Sequence, residues 1–142
     1  MTKEQTAKIA WLNRAFHAEK NARAWLAKLE RDRSLAERIS RNGENSGSAS
    51  GNGTETALIR LSQTESETQN RLQELVNIRE EICTVIRQVD DLDMQTILVR
   101  HYLAYETFET IADKMHYNES TIYRKHKRAL DKIAIECKAK RC

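Results

Sequence analysis

The chain contains no proline, and its four glycines, Gly43, Gly47, Gly51 and Gly53, all fall in one short stretch. These are the two strongest helix breakers, costing about 3 and about 1 kcal/mol in a helix interior relative to alanine. Outside that stretch nothing forces a helix to stop, so the chain is expected to be all-α. The stretch itself, NGENSGSASGNGT, holds four Gly, three Ser and three Asn. It has too few apolar groups to offset the entropy of ordering, and is expected to be a flexible loop over residues 42–54.

Before the loop, Ile9, Leu12, Phe16, Ala22, Leu26, Leu29, Ala36 and Ile39 recur at helical spacing. They predict one long amphipathic helix from about Glu4 to Ser40, with a slip in register near Lys20. After it, steps of three and four give Leu58, Leu61, Glu65, Thr68, Leu72, Leu75, Arg79, Ile82, Ile86 and Val89, of which seven of ten are apolar. Such a heptad-like seam can pair with the first helix, making an antiparallel, coiled-coil-like hairpin over residues 1–89. It can also pair with another chain, which would make a homodimer through the helical hairpin. The stretch VDDLD then ends the helix and starts another, with Asp91 or Asp93 as N-cap and Met94, Ile97, Leu98 and Tyr102 along one side to about Leu103.

The formal net charge of +3 is unevenly spread. Residues 1–41 carry ten Lys/Arg against five Asp/Glu, residues 42–94 four against ten, and residues 95–142 ten against six. An acidic middle between basic ends favours folding back, with positive surface left over for a polyanion. The sequence has no run of about 18 apolar residues, and MTKEQTAKIAWLNR lacks a signal-peptide core, so no membrane partner and a cytoplasmic protein are expected. Cys83, Cys137 and Cys142 form no CxxC pair, which argues against a disulfide framework or a zinc site; Cys83 reads as a small core residue. His17, His101, His116 and His126 share no ligand spacing, so neither a metal nor another cofactor is expected. His101 and His116 read as polar helix-end residues. With no glycine-rich phosphate loop and no nucleophile–base motif, the chain is not expected to be an enzyme.

Residues 90–142 form the second expected domain, with a basic tail. Thr107 is a plausible N-cap for a short helix burying Phe108, Ile111, Ala112 and Met115, and Asn118 for a second burying Ile122, Ala129, Leu130 and Ile133. The small Ala112 lets the two backbones approach, and HYN makes a turn of helix-turn-helix length. The second helix leaves Glu119, Ser120, Tyr123, Arg124, Lys127 and Arg128 outside the core, with Lys125 and His126 at the margin. From Glu119 to Cys142 there are eight Lys/Arg against three Asp/Glu. Polar side chains near a helix N-terminus, with cations beyond them, are what major-groove reading and phosphate binding require.

These residues carry a resemblance. The run from Leu92 to Ile133 resembles region 4 of the sigma-70 family of transcription initiation factors, without a gap. ILVRHYL stands in place of the family's apolar-arginine-tyrosine helix, TFETIADKMHYNEST of its turn region, and IYRKHKRALDKI of its recognition helix and basic tail. His116 stands where the family usually has a glycine, a position that tends to need a left-handed backbone. Tyr123 stands where it usually has a cation. Together with the long hairpin, the chain is also similar to phage and prophage late-gene transcription regulators of the ArpU/RinA-like group. The resemblance implies a sequence-specific, double-stranded-DNA-binding transcriptional regulator with RNA polymerase as a second partner. It implies base contacts from Glu119, Ser120, Tyr123 and Arg124, and phosphate contacts from Lys125, Lys127 and Arg128, with Thr107 adding a contact at a helix N-terminus. The competing reading is a protein-interaction module, a coiled-coil hairpin docking on polymerase or sigma without touching DNA.

Overall fold

A computed structural model describes residues 1–46 and 51–135, with side chains described over 1–42 and 53–135. Among the described residues all regular structure is helical, without a strand: α1 (Lys3–Leu12), α2 (Arg14–Ser46), α3 (Gly51–Arg87), α4 (Leu92–Leu98) continuing as a π-helical turn (Val99–Leu103), α5 (Phe108–Met115) and α6 (Glu119–Lys132). The N-terminal break falls at Asn13 rather than near Lys20. There the Arg14 guanidinium lies 4.5 Å over the Trp11 ring while its Nε donates to the Trp11 carbonyl at 3.0 Å, so a side chain takes a carbonyl at the end of α1. Helix runs on to Ser46 and resumes at Gly51, so all the described part of the expected 42–54 loop is helical, contrary to that expectation; residues 47–50 lie outside the described residues. Extending a nucleated helix adds a hydrogen bond for each residue fixed, against which one glycine weighs about 1 kcal/mol.

The chain divides into two compact units, residues 18–75 and residues 1–17 with 76–142. This division differs from the expected one at 89/90. In the unit 18–75, α2 and α3 run antiparallel: Trp25 O accepts from Thr68 Oγ1 at 3.3 Å, and Asp32 Oδ2 accepts from Thr64 Oγ1 at 2.6 Å. Among the described side chains Ala22, Ala36, Ala57, Thr64 and Thr68 are buried there, with the expected seam residues Leu61, Leu72 and Leu75 half-buried. Leu58, expected in that seam, is 52% exposed, and Glu65 lies half exposed 3.6 Å from Arg33. The neighbouring residues Ala57 and Thr64 take the inward positions.

The unit of residues 1–17 and 76–135 has a core of larger side chains: Leu12, Ile82, Ile86, Val89, Leu98, Tyr102, Leu130 and Ile133 among them. A second cluster joins Ile97, Ile111, Ala112 and Ile122, with Phe108 and Met115 packed on it. The residues expected on the inward faces of α5 and α6 are found there, and on α6 His126 joins them. Cys83, expected as a small core residue, is half-buried. Thr2 caps α1 through a reciprocal pair with Gln5, each backbone N–H donating to the other's side chain at 3.1 Å. Of the two expected caps of α4, Asp91 makes the bond, accepting from Met94 N at 3.0 Å. In the π turn Ala104 N reaches Val99 O at 3.0 Å, and the chain then passes through Tyr105 with φ 61°. That backbone is unusual for a bulky residue. It is held by the Tyr105 hydroxyl, which accepts from Arg79 Nη1 at 2.8 Å and donates to Ala15 O at 3.3 Å.

Candidate nucleic-acid interface

The site is built on α5, the turn after it, and α6. Thr107 caps α5 as expected, its Oγ1 accepting from Thr110 N at 3.2 Å. At the other end His116 adopts φ 63°, ψ 41°, the left-handed conformation expected for this position. Tyr117 N donates to Ala112 O at 3.0 Å and His116 N to Asp113 O at 3.4 Å. This paired closure uses two of the last free carbonyls of α5, those of Ala112 and Asp113, and turns the chain within three residues. Asn118 then occupies the N-cap position of α6, but its side chain makes no capping bond. Thr121 N and Ile122 N donate to Asn118 O at 3.0 and 3.2 Å, which leaves the Glu119 and Ser120 amides of the first turn to water or to an external acceptor.

Of the eight residues singled out, Glu119, Ser120, Tyr123, Arg124, Lys127 and Arg128 are exposed on α6. Their spacing of three and four places them on successive turns of one face. The opposite face buries Ile122, His126, Ala129 and Leu130. Thr107 is exposed at the start of α5. Lys125 does not join the stripe: it is half-buried, with Nζ 3.6 Å from Asp93 Oδ2 and 5.3 Å from the Tyr117 ring. The Tyr117 hydroxyl donates to the same Asp93 oxygen at 2.6 Å, and that carboxylate holds the Tyr117 pKa above its ordinary value.

His126 is a correction. Placed by its sequence at the margin of the exposed face, it is 2% exposed, its Nε2 2.7 Å from the Tyr102 hydroxyl. Burial, with the nearby His101 adding to it, pushes its pKa down to about 4, so the imidazole is neutral at pH 7. Burial likewise raises the Tyr102 pKa. Nδ1 of His126 is buried without a hydrogen-bond partner. The signal was in the spacing, since His126 lies four residues after Ile122 and four before Leu130, both core positions; the charged neighbours masked it. His101 donates through Nδ1 to Glu106 O at 2.8 Å and stacks on Phe108 at 4.1 Å, and burial lowers its pKa. Phe108 in turn meets Tyr123 at 4.7 Å.

Two groups support this arrangement and were not foreseen. From α1, the nearly buried Lys8 donates through Nζ to Leu130 O at 2.8 Å, and Gln5 Nε2 to Asp131 Oδ1 at 3.0 Å. An ammonium at the C-terminal end of α6 satisfies a terminal carbonyl and suits the negative end of the helix dipole. Glu106, just before α5, accepts from Lys114 at 2.9 Å and Arg100 at 3.1 Å, bonds that lower its pKa. Both pairings join residues too far apart in sequence, or too irregularly placed, for local periodicity to reveal.

Among the described residues no cluster of three or more His, Cys, Asp or Glu could hold a metal ion, and no helix is long and apolar enough to cross a membrane. A family model described as a protein of unknown function (DUF1492) matches residues 46–134, which include α3 to α6. No curated protein and no solved structure matches the chain.

Proposed function

The chain belongs to the DUF1492 family, and we propose that it is a sequence-specific DNA-binding regulator of transcription, acting on phage or prophage genes. In this reading α5, the turn at His116 and α6 are a helix-turn-helix of the sigma region 4 kind, and α6 enters the major groove of duplex DNA. The observation that carries it is the stripe of Glu119, Ser120, Tyr123, Arg124, Lys127 and Arg128, exposed on a helix whose other side is locked into the core. A fixed helix with polar groups near its start and cations farther along has the layout that base reading and phosphate binding need. Glu119, Ser120, Tyr123 and Arg124 face base edges; Lys127 and Arg128, with Thr107 at the start of α5, meet phosphates. Lys125 is reassigned from phosphate contact to holding the turn, through Asp93 and Tyr117. RNA polymerase or a second copy of the chain is the expected further partner, because a single short recognition helix rarely binds tightly alone.

The test is a titration against random-sequence duplex DNA at two salt concentrations, with retained duplexes sequenced. Affinity is expected to fall with salt, and Lys127→Ala to weaken all duplexes alike while reducing the salt slope by about 1. Arg124→Ala is expected to cost about 1–3 kcal/mol on the selected sequence and to relax preference at one position. Absence of binding at either salt would end this reading in favour of a protein-docking module.

A further inference from the structure

Tyr123 is the member of the α6 stripe that charge does not explain. It stands between Ser120 and Lys127 with 46% of its surface exposed. Its ring is nonetheless held in place. It packs against Phe108 with centroids 4.7 Å apart and planes at 52°. Phe108 is itself stacked on His101 at 4.1 Å and 16°, and lies 4.8 Å from the buried His126 ring. A tyrosine braced in this way loses little freedom when something covers it. Tyr117, the neighbouring exposed tyrosine, differs, because its hydroxyl is already tied to Asp93 and its ring lies under the Lys125 ammonium.

The covering group must be apolar yet lie within a surface that suits Arg124 and Lys127. In the major groove the C5-methyl of thymine is the apolar mark on a base edge, and it sits between phosphate rows that those cations would face. We propose that Tyr123, braced by Phe108, is the specificity-determining residue of α6 and reads a thymine C5-methyl group; this rests on the DNA-binding reading above. Phe108 is the positioning residue, acting through the Tyr123 ring.

The experiment uses the full chain and the duplex retained from the random pool, resynthesised with deoxyuridine replacing thymidine one position at a time. That exchange removes only the methyl group. At one position uracil is expected to weaken binding about fourfold, the equivalent of about 0.8 kcal/mol for one buried methylene-sized group. Tyr123→Phe should keep that fourfold difference, and Tyr123→Ala, unfolding at the wild-type temperature, should bind the two duplexes equally. Equal wild-type binding of every uracil duplex overturns the methyl assignment while leaving DNA binding intact. A difference that persists in Tyr123→Ala overturns it too, by assigning the methyl to another side chain. If no duplex is retained from the pool, the DNA reading itself falls, and this inference with it.

Discussion

The unit of residues 18–75 and the unit of residues 1–17 with 76–135 follow the same helical periodicity and fill it with different chemistry. In the second, Leu12, Ile82, Ile86, Leu98, Tyr102, Ile111, Ile122 and Leu130 are 2% exposed or less. In the first, the buried positions among the described side chains belong to three alanines and two threonines, while Leu26 and Leu58 remain 42% and 52% exposed. A fully buried leucine or isoleucine contributes about 1.5–3 kcal/mol, an alanine far less. Stability is therefore concentrated in the unit that carries α5 and α6. The helical pair combines half-buried side chains such as Leu61, Leu72 and Leu75 with hydrogen bonds between its two helices.

The most direct way to break this comparison is to truncate two residues of one helix that the seam pattern treats alike. Ile82→Ala is expected to cost about 2–5 kcal/mol, the range for a buried aliphatic whose site cannot fully collapse. Leu58→Ala should stay within about 0.5 kcal/mol, as surface substitutions do. Urea unfolding followed by circular dichroism measures both, with the two units free to give separate transitions. Comparable losses would mean that Leu58 is covered in solution and that the two units do not differ as described.

That contrast also marks how far the sequence was legible. The absence of proline gave the all-helical class, and the 3.6-residue spacing of Phe108, Ile111, Ala112, Met115, Ile122, Ala129 and Leu130 gave the inward faces of α5 and α6. Thr107 and His116 were readable, and the α4 cap could be narrowed to Asp91 or Asp93, because caps and left-handed turns depend on residues close in sequence. The inward position of Thr64 instead of Glu65 was not, because it depends on Asp32 and Lys28 from the facing helix. Likewise Lys8 reads as one more exposed cation until Leu130 O is seen beside it. The exposed stripe on α6 was legible as a surface; which partner it meets lies outside what spacing and burial can fix.

A smaller effect sharpens the account of the helical pair. Thr64 Oγ1 donates to Asp32 Oδ2 at 2.6 Å and accepts from Lys28 Nζ at 3.0 Å, while Lys28 also reaches Asp32 at 2.8 Å. Thr64→Val keeps the volume and removes the hydroxyl, at an expected cost of about 1 kcal/mol. The bond from Lys28, followed by that from Thr64, lowers the Asp32 pKa in the folded chain. A carboxyl whose folded pKa lies below its unfolded value contributes fully above the unfolded value, about 3.9, and loses that contribution as pH falls through the folded one. Wild-type stability is thus expected to drop below about pH 4 by an increment that Asp32→Asn lacks. Identical acid profiles for the two proteins would remove this network from the forces holding the pair.

The smallest expected effect is a gain, and it separates two residues that share an unusual backbone. His116 and Tyr105 have φ of 63° and 61°. A left-handed backbone costs a non-glycine residue about 1–2 kcal/mol, and glycine relieves it while adding about 0.4–1 kcal/mol of unfolded-state entropy. At the exposed His116, glycine should therefore stabilise the chain by roughly 0.5–1 kcal/mol. At Tyr105 the same relief is outweighed, because the hydroxyl bonds to Arg79 and Ala15 O and the ring contact with Phe16 at 5.6 Å are lost together. Thermal unfolding of His116→Gly and Tyr105→Gly should move the midpoint in opposite directions. Under the proposed DNA-binding reading, the first variant should also keep its affinity for the selected duplex, since His116 closes α5 and stands outside the α6 stripe. A stabilised His116→Gly protein that binds DNA less well would place the His116 ring at the DNA and extend the interface into the turn.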